Sequence, residues 1–191
     1  MIAQFLTYWS AYAVMDELHG QWLHTHAMPL SHVPEGWPLF EGQAREDYVY
    51  VVTEGLLAGT TWDETGHRSI HLLAPPLHNV MTTRNFYTAR RVPYQIVALR
   101  NSAVLRLPVA ALKTFKERDV AAATLVSVLR EKHNKQYLLH NALLQIRSEG
   151  DRYRAFERHC NDWLGLLTLQ EIADYLAMSL SSVNRARRGD I

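Results

Sequence analysis

The sequence predicts an α+β protein whose first half is rich in antiparallel strands and whose second half is helical. Three observations carry that prediction. Between residues 48 and 107, short apolar runs rich in Val, Leu, Ile and Tyr alternate with turn signals. After Pro108 no proline recurs, and apolar residues return at helical spacing. The chain closes on two short helical segments broken at Ala177-Met178-Ser179, the second carrying Arg185, Arg187 and Arg188 and no acid.

Residues 3–23 place Phe5, Leu6, Trp9, Tyr12, Ala13 and Leu18 at helical spacing, and Gly20 marks the expected stop. Strands are expected at 48–52, 56–62, 69–73, 94–99 and 103–107. Turns fall at Pro34-Glu-Gly36, Glu41-Gly42, Glu54-Gly55, Ala74-Pro-Pro76 and Arg100-Asn-Ser102, with a hairpin at Asp63-Glu-Thr-Gly66. The regular spacing indicates an antiparallel sandwich or barrel rather than alternating βαβ units. Pro108 suits the start of a helix over 109–118. A long helix is expected from Asp119 to Ser148, ended by Glu149-Gly150. Its leucines and valines (Leu125, Val126, Val128, Leu129, then Leu138, Leu139, Leu143, Leu144) could pack on a second copy of the same helix, or within the chain itself. The expected division is therefore 1–118, 119–148 and 149–191.

In the last segment, Thr168 and Glu171 form a capping box, and Ile172, Ala173 and Leu176 give the first helix an apolar stripe. Ser179 or Ser181 can cap the second helix, whose Val183 faces the same core, and small Ala173 lets the two helices cross closely. Hydroxyls and guanidiniums on such a helix suit base edges and phosphates of a duplex. The plainer alternative is a helical hairpin with a solvated basic tail.

Composition narrows the classes further. With 48% hydrophobic residues and no low-complexity run, the chain is globular, and 191 residues hold one large domain or two small ones. The lone Cys160 excludes an internal disulfide framework, a Cys-rich zinc site and an iron–sulfur cluster within one chain. The first residues lack a signal-peptide pattern and no apolar run is long enough to span a bilayer, so a cytoplasmic protein without a membrane partner is expected. Residues 1–83 carry nine acids against Arg45 and Arg68, whereas residues 84–149 carry twelve bases against four acids. This asymmetry points to a local anion-facing surface or to mutual neutralisation on folding. No Gly-x-Ser-x-Gly and no glycine-rich phosphate loop occurs, so no enzyme activity is expected. Of the ten histidines, His24 and His26 are expected on one side of a strand, as are His67 and His71. His133 and His140 share a helix face, read as solvated. No metal site is expected among them. The tryptophans are read mostly as core, with Trp62 at a surface.

The order of elements resembles the Crp/Fnr family of bacterial transcription regulators over nearly the whole chain. The residues that carry the likeness are His32-Val-Pro-Glu-Gly36, Leu39-Phe40-Glu-Gly42, Asp47 to Gly55, the hairpin at 63–66, Leu72-Leu-Ala-Pro-Pro76, Arg152-Tyr-Arg-Ala-Phe156 and the segment 169–188. The resemblance implies an antiparallel β jelly roll like that of cyclic-nucleotide-binding domains, a long dimerisation helix and a C-terminal helix-turn-helix domain. It also implies a homodimer that reads a palindromic site in double-stranded DNA, with RNA polymerase as a further partner. Carried over by position, Arg185 meets bases, with Ser181 and Ser182 one turn earlier, while Arg187, Arg188 and Thr168 meet phosphates. Family members that bind cyclic nucleotides have a Gly-Glu pair and an Arg-Ser or Arg-Ala pair. Here the corresponding segments read Pro75-Pro-Leu-His-Asn-Val-Met-Thr-Thr83 and Arg90-Arg-Val-Pro-Tyr94, which argues against cAMP or cGMP. No cofactor is expected. His78 is the residue that a haem-sensing relative would offer as axial ligand. The expected pocket for an unidentified small effector is the roll interior, flanked by His78, Asn79, Thr82, Thr83, Arg90, Arg91 and Asn134. The reading from a different class is a small-molecule-binding or protein-interaction module without DNA binding.

Overall fold

A computed structural model describes residues 1–43 and 45–190; position 191, the last of the expected third segment, and Ala44 lie outside them. Among the described residues, eight strands form two four-stranded antiparallel sheets. The first runs β1 (Met28–Val33), β8 (Ser102–Pro108), β3 (Tyr48–Glu54), β6 (Asn79–Met81). The second runs β2 (Pro38–Phe40), β7 (Gln95–Ala98), β4 (Leu57–Trp62), β5 (Arg68–Ala74). This order is the double Greek key of a jelly roll.

Both faces of each sheet are covered, which is why the inner strands read as nearly unbroken apolar runs. In β3, Tyr50 and Val52 point into the roll with Val80 and Val104, while Val49 and Val51 face helices together with Met81, Leu105 and Leu107. In the second sheet Leu57, Leu72, Ile96 and Ala98 face inward; Ala58, Leu73 and Val97 face the C-terminal helices. The period-2 alternation of strand side chains thus feeds three cores from two sheets. Gly55 turns β3 into β4 at φ 83°, and a Cβ there would lie 2.4 Å from the Asn101 carbonyl oxygen, so only glycine fits.

The helix expected over 3–23 is two helices, α1 (Ile2–Ser10) and α2 (Glu17–His26). Asp16 breaks it by capping: its carboxylate accepts from the Leu18 and His19 backbone N–H groups, and the His19 ring returns to the Asp16 backbone. Gly20 does not stop a helix but lies inside α2, where its bare backbone faces Leu6 of α1. His24 and His26 accordingly sit in the last turn of a helix and not on a strand. His67 precedes β5, and His71 within it bonds Thr61 at 2.8 Å. Trp37, grouped with the core tryptophans, is exposed, as is Trp62.

Helix α3 (Val109–Lys116) follows β8 directly, and α4 (Val120–Gln145) begins at Asp119, whose side chain accepts from the Ala122 N–H at 2.6 Å. His19 links that carboxylate to the Asp16 cap, and the buried Trp9 indole donates to the Ala121 carbonyl at 3.0 Å. Helix α4 stops earlier than expected. Ile146 is extended, Ser148 caps α5 (Glu149–Cys160) by accepting from Asp151 N–H, and Gly150 belongs to that next helix. A 3₁₀ turn (Asn161–Leu166), α6 (Leu169–Leu176) and α7 (Leu180–Arg188) complete the chain.

One face of α4 packs along its length within its own chain. Ala122, Leu125, Val126 and Leu129 join the α1–α2–α3 core, and Leu143 joins the core between β4, β5, β7 and the C-terminal helices. The stretch between the two cores buries His133, Gln136 and His140. The two histidines are therefore interior, not solvated, because they share the inward face with the leucines.

Candidate nucleic-acid interface and sensor cavity

The C-terminal helix pair is built by its caps. The Thr168 hydroxyl accepts from Glu171 N–H at 3.2 Å while the Glu171 carboxylate accepts from Thr168 N–H at 2.7 Å. Ala177 takes the left-handed conformation at φ 50°, and Ser179 caps α7 by accepting from Ser182 N–H at 3.0 Å. Ile172, Ala173, Leu176, Met178, Val183 and Ala186 bury the facing sides against Tyr153 and Phe156 of α5.

What α7 leaves outside is a polar stripe. Ser181, Asn184, Arg185 and Arg188 recur at the i, i+3, i+4, i+7 spacing of one helix face; Ser181, Arg185 and Arg188 are exposed and Asn184 half-buried. Arg185, Arg187 and Arg188 form no ion pair with a described residue, although Arg185 reaches the Ser182 hydroxyl at 3.5 Å. Thr168 is exposed at the start of α6. Ser182 departs from its expected role. It is buried, and its hydroxyl receives a 2.9 Å bond from Ser179, so it finishes the helix cap instead of facing outward. Asn184 was missed by sequence reasoning, though its place three residues after Ser181 and four before Arg188 puts it on the same face.

Two ion pairs fix this helix pair to the roll. The Arg100 guanidinium, from the β7–β8 turn, straddles Glu171 at 3.0 and 2.6 Å, and Arg68 of β5 meets Asp174 at 2.7 Å. Both carboxylates are almost fully buried. Burial would raise the Glu171 pKa, but Arg100 and the Thr168 N–H prevail and hold it below the usual glutamate value. At the hinge, the Arg152 guanidinium donates to the Ile146 carbonyl at 2.9 and 3.1 Å and to the Leu176 carbonyl at 2.8 Å, satisfying the ends of α4 and α6 together.

The residues expected around an effector do not converge. Asn79 is fully buried against α4, and its side-chain amide has no hydrogen-bond partner among the described residues. Thr82 ties the β3 start by accepting from Tyr48 N–H, and Thr83 bonds the Asn85 carbonyl. Arg91 lies 3.6 Å from Asp47, Arg90 is exposed, and Asn134 is on the outer face of α4. His78 faces a different cavity, of about 250 Å³ between α4 and the C-terminal helices, too small to take a haem.

No family model matches the chain, and no curated protein matches it by sequence. Solved structures do match. FixK2 of Bradyrhizobium japonicum superposes with a TM-score of 0.71 at 17% identity, over 85% of this chain and 83% of its own. A transcriptional regulator of Eubacterium rectale, described as Crp/Fnr family, gives 0.63 at 13% identity over 92% and 83%. The chain has the Crp/Fnr fold. A CRP-family transcriptional regulator of Thermus thermophilus, at 0.63 and 16% identity over 84% and 83%, agrees. Among the described residues no helix is long and apolar enough to cross a membrane.

Within this Crp/Fnr roll, the space between β5, β7 and α4 is partly filled by aromatic side chains. Tyr94 is buried, and its ring lies so close to Gly59 of β4 that a Cβ there would approach it to 2.6 Å. Its hydroxyl is bonded to that of Tyr137 on α4, and burial pushes both phenols up. A cavity of about 480 Å³ remains beside the pair, bordered by His71, Arg84, His140 and Asn141. The His140 ring donates to the Tyr175 carbonyl at 2.8 Å and stacks on the Tyr175 ring, so this wall continues into α6. Tyr94 and Tyr137 went unnoticed in the sequence, where isolated tyrosines in a strand and a helix carry no motif.

Proposed function

We propose that this chain is a homodimeric DNA-binding transcription regulator of the Crp/Fnr type, in which 1–118 senses, 119–148 dimerises and 149–191 reads DNA. The observation that carries the reading is the outer face of α7. Ser181, Asn184, Arg185 and Arg188 are presented on one side of a capped, well-anchored helix, with no acid in that helix and no described carboxylate pairing the arginines. Arg185 is suited to a base edge, Ser181 and Asn184 to a base or phosphate, and Arg187, Arg188 and Thr168 to phosphates. RNA polymerase is the partner such a regulator would address once on DNA, and the cytoplasm is where both are met.

Two copies joined along α4 would set their α7 helices about 34 Å apart, one duplex turn, as a palindromic site demands. The outward stripe of α4 supports this pairing: Val120, Ser127, Glu131, Asn134, Leu138, Ala142 and Gln145 recur on its solvent side, with Leu138 at 67% exposure an apolar centre. Leu138→Glu places two like charges in that seam and is expected to weaken the dimer at least tenfold, about 1.4 kcal/mol. Sedimentation measures this, and the exposed position leaves the subunit fold intact. An effector would act from the Tyr94–Tyr137 cavity only by binding two arrangements of the hinge with different affinity. Missing Gly-Glu and Arg-Ser or Arg-Ala pairs, together with the tyrosines, argue against a cyclic nucleotide in its usual pose.

Selection from a random duplex library tests the reading. The expected product is a palindrome with half-site centres one turn apart; a pool that never enriches favours the interaction-module alternative.

A further inference from the structure

Where the roll, α4 and the C-terminal helices meet, the 250 Å³ cavity beside His78 has one-sided chemistry. Lys132, Lys135, His78 and His159 line it, and no acidic side chain is among its described lining residues. Gln136 forms part of the same wall at 9% exposure, and among the described residues neither its amide nitrogen nor its amide oxygen has a hydrogen-bond partner. A buried carboxamide left unpaired costs stability that an apolar side chain would not, so the position asks for a ligand group. Burial, then repulsion from Lys135, holds the Lys132 ammonium below the usual lysine value; among the described residues it donates to the Leu77 carbonyl at 2.9 Å and lies 4.6 Å from the Tyr8 ring centroid. Lys135 is drawn outward to Glu131 at 2.9 Å. The His78 Nδ1 donates to the Pro76 carbonyl at 3.2 Å, which leaves Nε2 as the ring atom without an assigned partner. The lining also includes the apolar surfaces of Trp163, Leu139 and Leu73.

We propose that this cavity binds a small organic carboxylate, its oxygens held by Lys132 and the Gln136 amide and its apolar body against Trp163. The charge of the ligand answers Lys132, which has no ion pair with a described residue, and its oxygens give the Gln136 N–H donor a partner. The volume lies below the ~300–1,000 Å³ of pockets for drug-sized ligands, which limits the body to about one ring or a short branched chain. Because the walls come from the roll, α4, α5 and α6 together, occupancy bears on how the C-terminal helices sit against the sensor. The site is separate from the Tyr94–Tyr137 cavity, and its binding chemistry does not depend on the DNA-binding reading.

Calorimetry on the full chain at constant ionic strength tests the proposal, with benzoate as probe, benzamide as its uncharged counterpart and inorganic phosphate as a bare oxyanion. Benzoate is expected to saturate one site per subunit with a dissociation constant on the order of 1 mM or tighter. Lys132→Met should weaken it at least tenfold and Gln136→Leu severalfold, while Tyr137→Phe and Arg185→Ala leave it unchanged. Gln136→Leu should melt no lower than the parent, which separates loss of binding from loss of fold. The proposal is overturned by absence of saturable heat with benzoate, by equal binding of benzamide or phosphate, or by benzoate binding that Lys132→Met and Gln136→Leu both leave untouched.

Discussion

Arg100→Ala should destabilise the protein by about 3 kcal/mol, because it strands the Glu171 carboxylate in a buried site with only the Thr168 N–H as donor. For a chain of this size that corresponds to a fall in melting temperature of roughly 6–12 °C. Glu171→Gln should cost less, since it removes the charge along with its partner and keeps an acceptor for the cap. The ordering of the two variants is the informative result. If Arg100→Ala proved no worse than an exposed arginine substitution, below about 0.5 kcal/mol, the ion pair would not be what seats α6 on the roll. Denaturant unfolding of both variants beside the parent measures it.

Acidification from pH 6.5 to 4 should remove about 3 kcal/mol of stability through His133 alone. Burial depresses this imidazole to about 4, despite the Asn79 backbone, which favours the protonated ring. The unfolded chain takes up the proton near pH 6.5, so between about 6.5 and about 4 it binds more protons than the fold does. Stability is therefore complete above 6.5 and declines as pH drops through that window. His71, His78 and His140 are depressed by burial as well and push the same way. Glu171, held low in the fold, adds a further loss only below the ordinary glutamate range, as pH falls toward its depressed value. His133→Leu should flatten the upper part of the curve. A slope between pH 4 and 6.5 identical in parent and variant would place the titrating group elsewhere.

Four of the five strands that sequence reasoning found have a strand on each side, and the fifth, β5, is an edge whose apolar face is covered by α4 and α6. Strands β3, β4, β7 and β8 are internal to their sheets and carry apolar residues on both faces, so their composition is unambiguous. Strands β1, β2 and β6 were missed, and all three are edges; β1 and β2 also contain Pro29 and Pro38, which an edge tolerates because one side has no ladder to complete. Helix boundaries failed where a polar cap outweighed periodicity, at Asp16 and at Ser148. The C-terminal helix pair was legible because caps are local: Thr168, Glu171 and Ser179 act within three residues. The Tyr94–Tyr137 cavity and the seat of α6 were not, since Tyr94 and Tyr137 meet across 43 positions and Arg100 reaches Glu171 across 71. Nor does spacing tell which face of α4 is buried, and so His133 and His140 were assigned outward. Ser182, one residue from exposed Ser181, was misassigned for the same reason.

The outer face of α7 is proposed to lie against a DNA duplex. Fluorescence anisotropy of the protein on a selected duplex, over a series of salt concentrations, is the measurement that tests this. Affinity should fall steeply and log-linearly with salt. Arg185→Ala should cost about 1–3 kcal/mol and relax preference at one base pair of each half-site, whereas Arg188→Ala should weaken all sequences alike and reduce the salt slope by about one per subunit. Binding that is insensitive to salt, or a parent-like titration from the Arg185→Ala, Arg188→Ala double variant, would contradict the account.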